Sequence, residues 1–126
     1  MRKRIVIPTE DENGLNAKLS NHFGRTPYFT LVELDEEDNI LNIKVISNAS
    51  KHFGGLGKPS DILLQLHPNA LITYGIELKA LTIFQQAQVV VLKTNANTVK
   101  EIIEAYKNNK LKELTEGCHH NRYKER

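Results

Sequence analysis

Two hydrophobic rhythms divide the chain near residue 50. Ahead of that point, apolar residues come in short β-branched or alternating runs, the pattern of strands. Ile5-Val6-Ile7 stops at Pro8 and predicts a first strand. A polar loop with an Asn13-Gly14 turn signal follows. Residues 28–33, with Leu34 close behind, are rich in aromatic and β-branched types and predict a second strand. Glu36-Glu37-Asp38-Asn39 is a polar turn, and residues 40–46 alternate as a third strand hairpinned to the second.

Beyond the glycine-rich stretch at residues 51–58 the spacing becomes helical between strands. Ser60 is placed to cap a helix that carries Ile62, Leu63 and Leu66 inward and breaks near Pro68. Residues 70–74 predict a strand. Gly75 turns the chain into a helix with Leu78, Leu81 and Phe84. Residues 88–92, nearly all valine, predict a strand covered on both faces. Thr98-Val99-Lys100-Glu101 matches a capping box, and Val99, Ile102, Ile103 and Tyr106 mark one helical face. Periodicity ends after Leu114. A front hairpin joined to a βαβ rhythm implies an α/β domain with a mixed sheet. Right-handed crossovers should put helices on both of its faces. The domain is expected over residues 1–116, with a polar tail at 117–126.

Composition narrows the function classes. A chain of 126 residues with a 40% hydrophobic fraction can bury a proper core without disulfides. Its 17 basic and 15 acidic residues leave a formal charge of +2, against the strong basic excess of a dedicated nucleic-acid binder. Cys118 is the only cysteine, so an intramolecular disulfide is ruled out and a reducing, cytoplasmic compartment is expected. The apolar run behind Arg2-Lys3-Arg4 is too short for a signal peptide, and no stretch reaches the length of a membrane span. The basic start reads as a solvated end.

Three constellations could carry chemistry. Asn21-His22-Phe23-Gly24-Arg25-Thr26-Pro27 precedes the second strand. His22 offers a metal-capable nitrogen and Arg25 a fixed cation, while Gly24 allows close backbone approach or a positive φ. The structural alternative is an ordered turn in which His22 satisfies carbonyls and Phe23 plugs the core. Lys51-His52-Phe53-Gly54-Gly55-Leu56-Gly57-Lys58 repeats the His-Phe-Gly triplet. Gly54, Gly55 and Gly57 could turn N–H groups toward an anion or cluster, although the spacing is not that of a P-loop. The alternative is a flexible crossover. Gly117-Cys118-His119-His120 places thiolate and imidazole donors together in the tail. A lone Cys118 cannot supply the four thiolates of a usual iron–sulfur site, and the alternative is a solvated terminus. His67, beside Pro68, reads as a helix-end residue.

His22-Phe23-Gly24-Arg25, followed by Pro27-Tyr28-Phe29, resembles the signature of the dinitrogenase iron-molybdenum cofactor biosynthesis family, which includes NifX and the C-terminal domain of NifB. Ile5-Val6-Ile7-Pro8, Gly54-Gly55-Leu56-Gly57, Tyr74-Gly75 with Lys79-Ala80, and Thr98-Val99 with Ala105-Tyr106 extend the resemblance over nearly the whole chain. It implies a ribonuclease-H-like three-layer α/β/α fold with a five-stranded mixed sheet of order 3-2-1-4-5. The third strand and the strand at 88–92 would then be its edges. It also implies a protein that binds or carries an iron-molybdenum cofactor precursor or an iron–sulfur cluster. Glu77 departs from the family pattern, which often has a second glycine shortly after the position of Gly75. A carboxylate suits a helix N-terminus but repels an anionic cluster there.

Three functions follow as expectations. The first is a non-enzymatic metal-cluster carrier, with His22, His52, Cys118, His119 and His120 as metal ligands. Arg25, Gly54, Gly55 and Gly57 would line its cofactor site. Its partners would be cluster-assembly proteins, with no nucleic acid and no membrane, and the chain would be a monomer or weak homodimer. The second is a metal-free module for small anions or protein partners. The third is a metal-dependent nuclease, which needs clustered carboxylates on adjacent strands. The first strand has none, and Glu33 with Asp35 does not make the cluster.

Overall fold

The computed structural model describes residues 3–48 and 63–115. Six strands form one sheet: β1 (Lys3–Thr9), β2 (Tyr28–Leu34), β3 (Ile40–Ser47), β4 (Ala70–Thr73), β5 (Val90–Lys93) and β6 (Lys112–Glu113). Their order is β3-β2-β1-β4-β5-β6. β1 pairs antiparallel with β2 and parallel with β4. β3 and β6 run antiparallel to their neighbours, and β4 and β5 are parallel. The sheet is mixed, and the expected order 3-2-1-4-5 is found within it. The expectation of five strands is corrected by β6, which pairs with β5 through Leu92↔Glu113 and Lys93↔Lys112. The strand near residue 90 is therefore not an edge.

Alternation along the strands sorts the core onto two faces. Ile5, Ile7, Val32, Leu34, Ala70 and Ile72 join Val99, Ile102 and Ile103 of α2 (Val99–Lys107). Val6, Phe29, Leu31, Leu71 and Val91 join Leu81 and Phe84 of α1 (Leu78–Gln86). Each face of the sheet thus carries one of these helices, as the connection rules required. α2 begins with the full capping box: Glu101 N–H donates to the Thr98 hydroxyl, and the Thr98 N–H donates to the Glu101 carboxylate. Residues 63–64 are helical, with Leu63 buried and Leu66 half-buried. His67 closes that turn at a φ of 54°, its N–H donating to the Leu64 carbonyl. It is a helix-end residue. Ser60 and Ile62 lie outside the described residues.

Two packing expectations change. Leu78 is 55% exposed because it is the first residue of α1, ahead of the turn that reaches the core. Val90, expected to be covered on both faces, is 41% exposed, whereas Val91 is buried.

The basic start is also not merely solvated. Lys3 donates to Asp38 at 2.6 Å and lies over the Tyr106 ring. Arg4 pairs with Glu33 at 3.1 Å and donates to the Leu66 carbonyl at 3.0 Å. These contacts tie β1 to the β2–β3 hairpin and to the turn before β4. Among the described residues no helix is long and apolar enough to cross a membrane.

Candidate functional site

Parallel pairing of β1, β4 and β5 brings their C-terminal ends to one end of the sheet. The antiparallel register Thr9↔Tyr28↔Ser47 adds the start of β2 and the end of β3 to that end. Open α/β sheets usually hold ligands in the crevice outside the strand C-termini. The segment 20–27, which carries His22 and Arg25, lies there.

Its buried residues are fixed in turn. Ser20 N–H donates to the Pro8 carbonyl at 2.9 Å. The Ser20 hydroxyl lies 3.2 Å from both the N–H and the carbonyl oxygen of His22, closing a local turn. Phe23 is buried, its ring 5.8 Å from Phe29 and edge-on to Phe84 at 5.6 Å. Burying such a ring contributes roughly 1.5–3 kcal/mol, and each aromatic pair adds about 0.5–1.5 kcal/mol. Thr26 is buried, and its hydroxyl lies 2.8 Å from the Thr9 carbonyl and 3.0 Å from that of Tyr28. Asn48, just past β3, donates from its side-chain amide to the Thr26 carbonyl at 2.8 Å and, more weakly, to Gly24 at 3.4 Å. Its backbone N–H donates to Pro27.

His22, Gly24 and Arg25 remain on the outside of this fixed frame and are exposed. Among the described residues neither the His22 nor the Arg25 side chain makes a hydrogen bond or ion pair. The structural alternative is therefore met in one half only. Phe23 does plug the core, but the contacts made by His22 come from its backbone. Gly24 does not adopt a positive φ, and a Cβ there would meet no atom of the described residues within 4 Å. Of the two uses that glycine allows there, the positive φ is not taken up, and among the described residues no close approach within the chain uses the other.

Nearby, Glu77 stands at the N-cap of α1 without a side-chain capping hydrogen bond and is exposed. Tyr74 donates to Asn97 at 3.4 Å on the other side of the same sheet end. Among the described residues no three His, Cys, Asp or Glu side chains are grouped to hold a metal ion. His52, Gly54, Gly55, Gly57, Cys118, His119 and His120 lie outside the described residues. The carboxylates weighed for nuclease chemistry are engaged elsewhere. Glu33 is bound by Arg4 and Asn42, and Asp35 accepts the N–H groups of Glu37 and Asn39 in the hairpin turn. Sequence reasoning missed Ser20, Thr26 and Asn48. The first two had a local signal, a hydroxyl two residues before the group it contacts. Asn48 had none, because its acceptors lie more than twenty residues away.

A sequence profile described as dinitrogenase iron-molybdenum cofactor matches residues 1–109. The chain belongs to this family. An uncharacterized protein of Methanocaldococcus jannaschii is 33% identical over 113 residues, spanning 88% of this chain and 91% of that protein. The solved structure of a candidate NifB protein from Thermotoga superposes with a TM-score of 0.74 at 27% identity, covering 94% of this chain and 99% of that one. The apo form of the orange protein from Desulfovibrio gigas superposes at 0.73 with 19% identity, over 90% of this chain and 94% of that one. The last is a likeness of fold alone. His22 and Arg25 lie within the span matched by the dinitrogenase iron-molybdenum cofactor family, and residues 117–126 lie beyond it.

Proposed function

We propose that the protein binds a metal–sulfur cluster of the iron-molybdenum or iron–sulfur type as cargo and passes it to cluster-assembly partners, without catalysing a reaction of its own. The observation that carries this reading is the display of His22 and Arg25, both exposed, on a loop whose intervening side chains are tied to the core. Imidazole is a borderline ligand suited to iron, and a guanidinium offsets the charge of an anionic cluster. The donor chemistry fits one edge of such a cargo. It does not close a site, since the described residues hold no group of three donors. The three-layer arrangement, with a helix on each face of a mixed sheet, supports assigning the chain to the ribonuclease-H-like folds.

The glycine-rich segment is the proposed second wall. Asn48, which is held beside the 20–27 loop, precedes it in the chain, and His52 follows Asn48 by four residues, roughly 14 Å at full extension. With His52 as a ligand and Gly54, Gly55 and Gly57 offering N–H groups, the cargo would sit between the two His-Phe-Gly triplets. Glu77 argues against placing it on the α1 end. Cys118, His119 and His120 are proposed as a second donor group. β6 has carried the chain back to the level of Val91 by Leu114, away from the loop end. Three strand spacings, roughly 14 Å, separate β6 from β1, while Cys118 is three residues beyond Thr115, a reach of roughly 10 Å. Such a tail meets the His22 loop of a second copy or of a partner more readily than its own.

A metal-free anion-binding module shares Arg25 and the same frame. One experiment separates the two. Untagged protein, purified without oxygen, is incubated with ferrous iron and sulfide, with or without molybdate, then desalted and analysed for metal and visible absorption. The cargo reading expects bound iron with charge-transfer absorption, reduced at least severalfold in His22→Ala. Wild type that retains no metal, or equal retention in the variant, overturns it.

A further inference from the structure

The His22–Arg25 loop is braced from the end of β3 by Asn48. Its side chain reaches across from the end of β3 to the carbonyl of Thr26 at 2.8 Å and toward that of Gly24 at 3.4 Å, bracketing Arg25. Its backbone N–H holds the Pro27 carbonyl at 3.0 Å. The other supports of the loop act at its ends or beneath it. Ser20 fixes the entry at His22, Phe23 anchors the centre, and the Thr26 hydroxyl fixes the exit to Thr9. The backbone carbonyls on either side of Arg25 have Asn48 as their shared side-chain partner among the described residues.

We infer that Asn48 is a positioning residue: its amide holds the His22–Arg25 segment in its ligand-presenting geometry and ties that segment to the end of β3. The inference rests on the cargo reading for what is presented, and on the hydrogen bonds for the positioning itself. Only a side chain that donates twice can serve both carbonyls. Aspartate has nearly the same size and no donor there, and it would set a carboxylate against a carbonyl oxygen. The backbone bond to Pro27 needs no side chain, so substitution leaves the end of β3 paired. Preorganisation of this kind raises affinity by reducing what must be ordered on binding.

The test compares full-length wild type, Asn48→Asp, Asn48→Ala and His22→Ala. Backbone relaxation by NMR reads order in residues 22–26, calorimetry reads binding of molybdate, and thermal unfolding controls for the fold. In both Asn48 variants the order parameters of this segment should fall from about 0.85 to below about 0.6, with molybdate affinity down about tenfold and little change in unfolding temperature. His22→Ala should lower affinity while the loop stays ordered. Unchanged order in both Asn48 variants overturns the inference, as does a loss of affinity matched only by global unfolding. If no form binds molybdate but the order parameters fall, the positioning role stands and the loop is not an oxyanion site. Alanine keeps the test decisive should the aspartate variant not fold.

Discussion

Arg4 and Glu33 face each other across β1 and β2, with the guanidinium Nε 3.1 Å from a carboxylate oxygen that is almost wholly buried. Burial alone would push the Glu33 carboxyl up. Hydrogen bonds from Asn42 and Arg4, with the charges of Arg4 and Lys44, overcome that and hold it below its ordinary value of 4.5. Arg4→Ala would leave a buried carboxylate without its cation and the Leu66 carbonyl without a donor. Because Arg4 itself is partly exposed, we expect a loss of roughly 1–3 kcal/mol, less than for a fully buried pair. Urea unfolding measures it, and a change below about 0.5 kcal/mol would show the pair to be incidental.

The same carboxylates set the acid limb of stability. Asp35 is also held below its ordinary value of 3.8, first by the Asn39 backbone N–H, which outweighs the opposing effect of burial, and then by Glu37 N–H, the Asn39 side chain and Lys3. A depressed folded-state value means that the unfolded chain takes up protons first. The stabilisation from both groups is therefore complete above about pH 4.5 and is lost as pH falls through the lowered folded values. Unfolding midpoints of wild type should be flat from neutrality to about pH 5 and fall below it. A double variant, Glu33→Gln with Asp35→Asn, should fall less steeply. Parallel curves would refute the assignment.

β3 is an edge strand of eight residues with Ile40 and Leu41 exposed, a surface prone to pairing with another chain. Two features blunt it. Lys44 is exposed in its middle, and the Ile43 N–H is taken by the Asn42 side-chain oxygen at 2.9 Å. Asn42 also donates to Glu33. Asn42→Val combined with Lys44→Thr should uncover the edge and produce species that grow with concentration in the micromolar to millimolar range, measured by sedimentation velocity. A variant that sediments like wild type at all concentrations would show that the edge is protected by other means.

How much of this was legible depended on whether the cause was local. The Thr98–Glu101 capping box could be read because both partners lie within one turn, and Ile5-Val6-Ile7 because burial on two faces leaves a continuous apolar run. β6 could not. Lys112 and Glu113 are exposed and polar, and they pair because the turn at Asn109, with a φ of 55°, returns the chain beside β5. Lys3 and Arg4 looked like a solvated start because Asp38 and Glu33 are 35 and 29 residues away. At the candidate site the exposed His22 and Arg25 carried the motif, while Asn48, which holds their loop, was silent for the same reason of sequence distance.

Gly24 separates the demands of folding from those of binding. It lies in the exposed part of the loop between His22 and Arg25, its φ is not positive, and an added Cβ would meet no atom of the described chain within 4 Å. Folding therefore gives no reason for glycine there. Alanine would reduce the conformational freedom of the unfolded chain and should leave stability unchanged or raise it by up to about 1 kcal/mol. A cargo seated against this backbone is another matter, since a methyl group would stand where the cluster must approach. We expect Gly24→Ala to unfold at or slightly above the wild-type midpoint yet to retain severalfold less iron after anaerobic reconstitution. Thermal unfolding and metal analysis on one preparation check both halves. Full retention in a stable variant would move the cargo away from Gly24 and leave the His22 imidazole and the Arg25 guanidinium as its only proposed contacts on this loop.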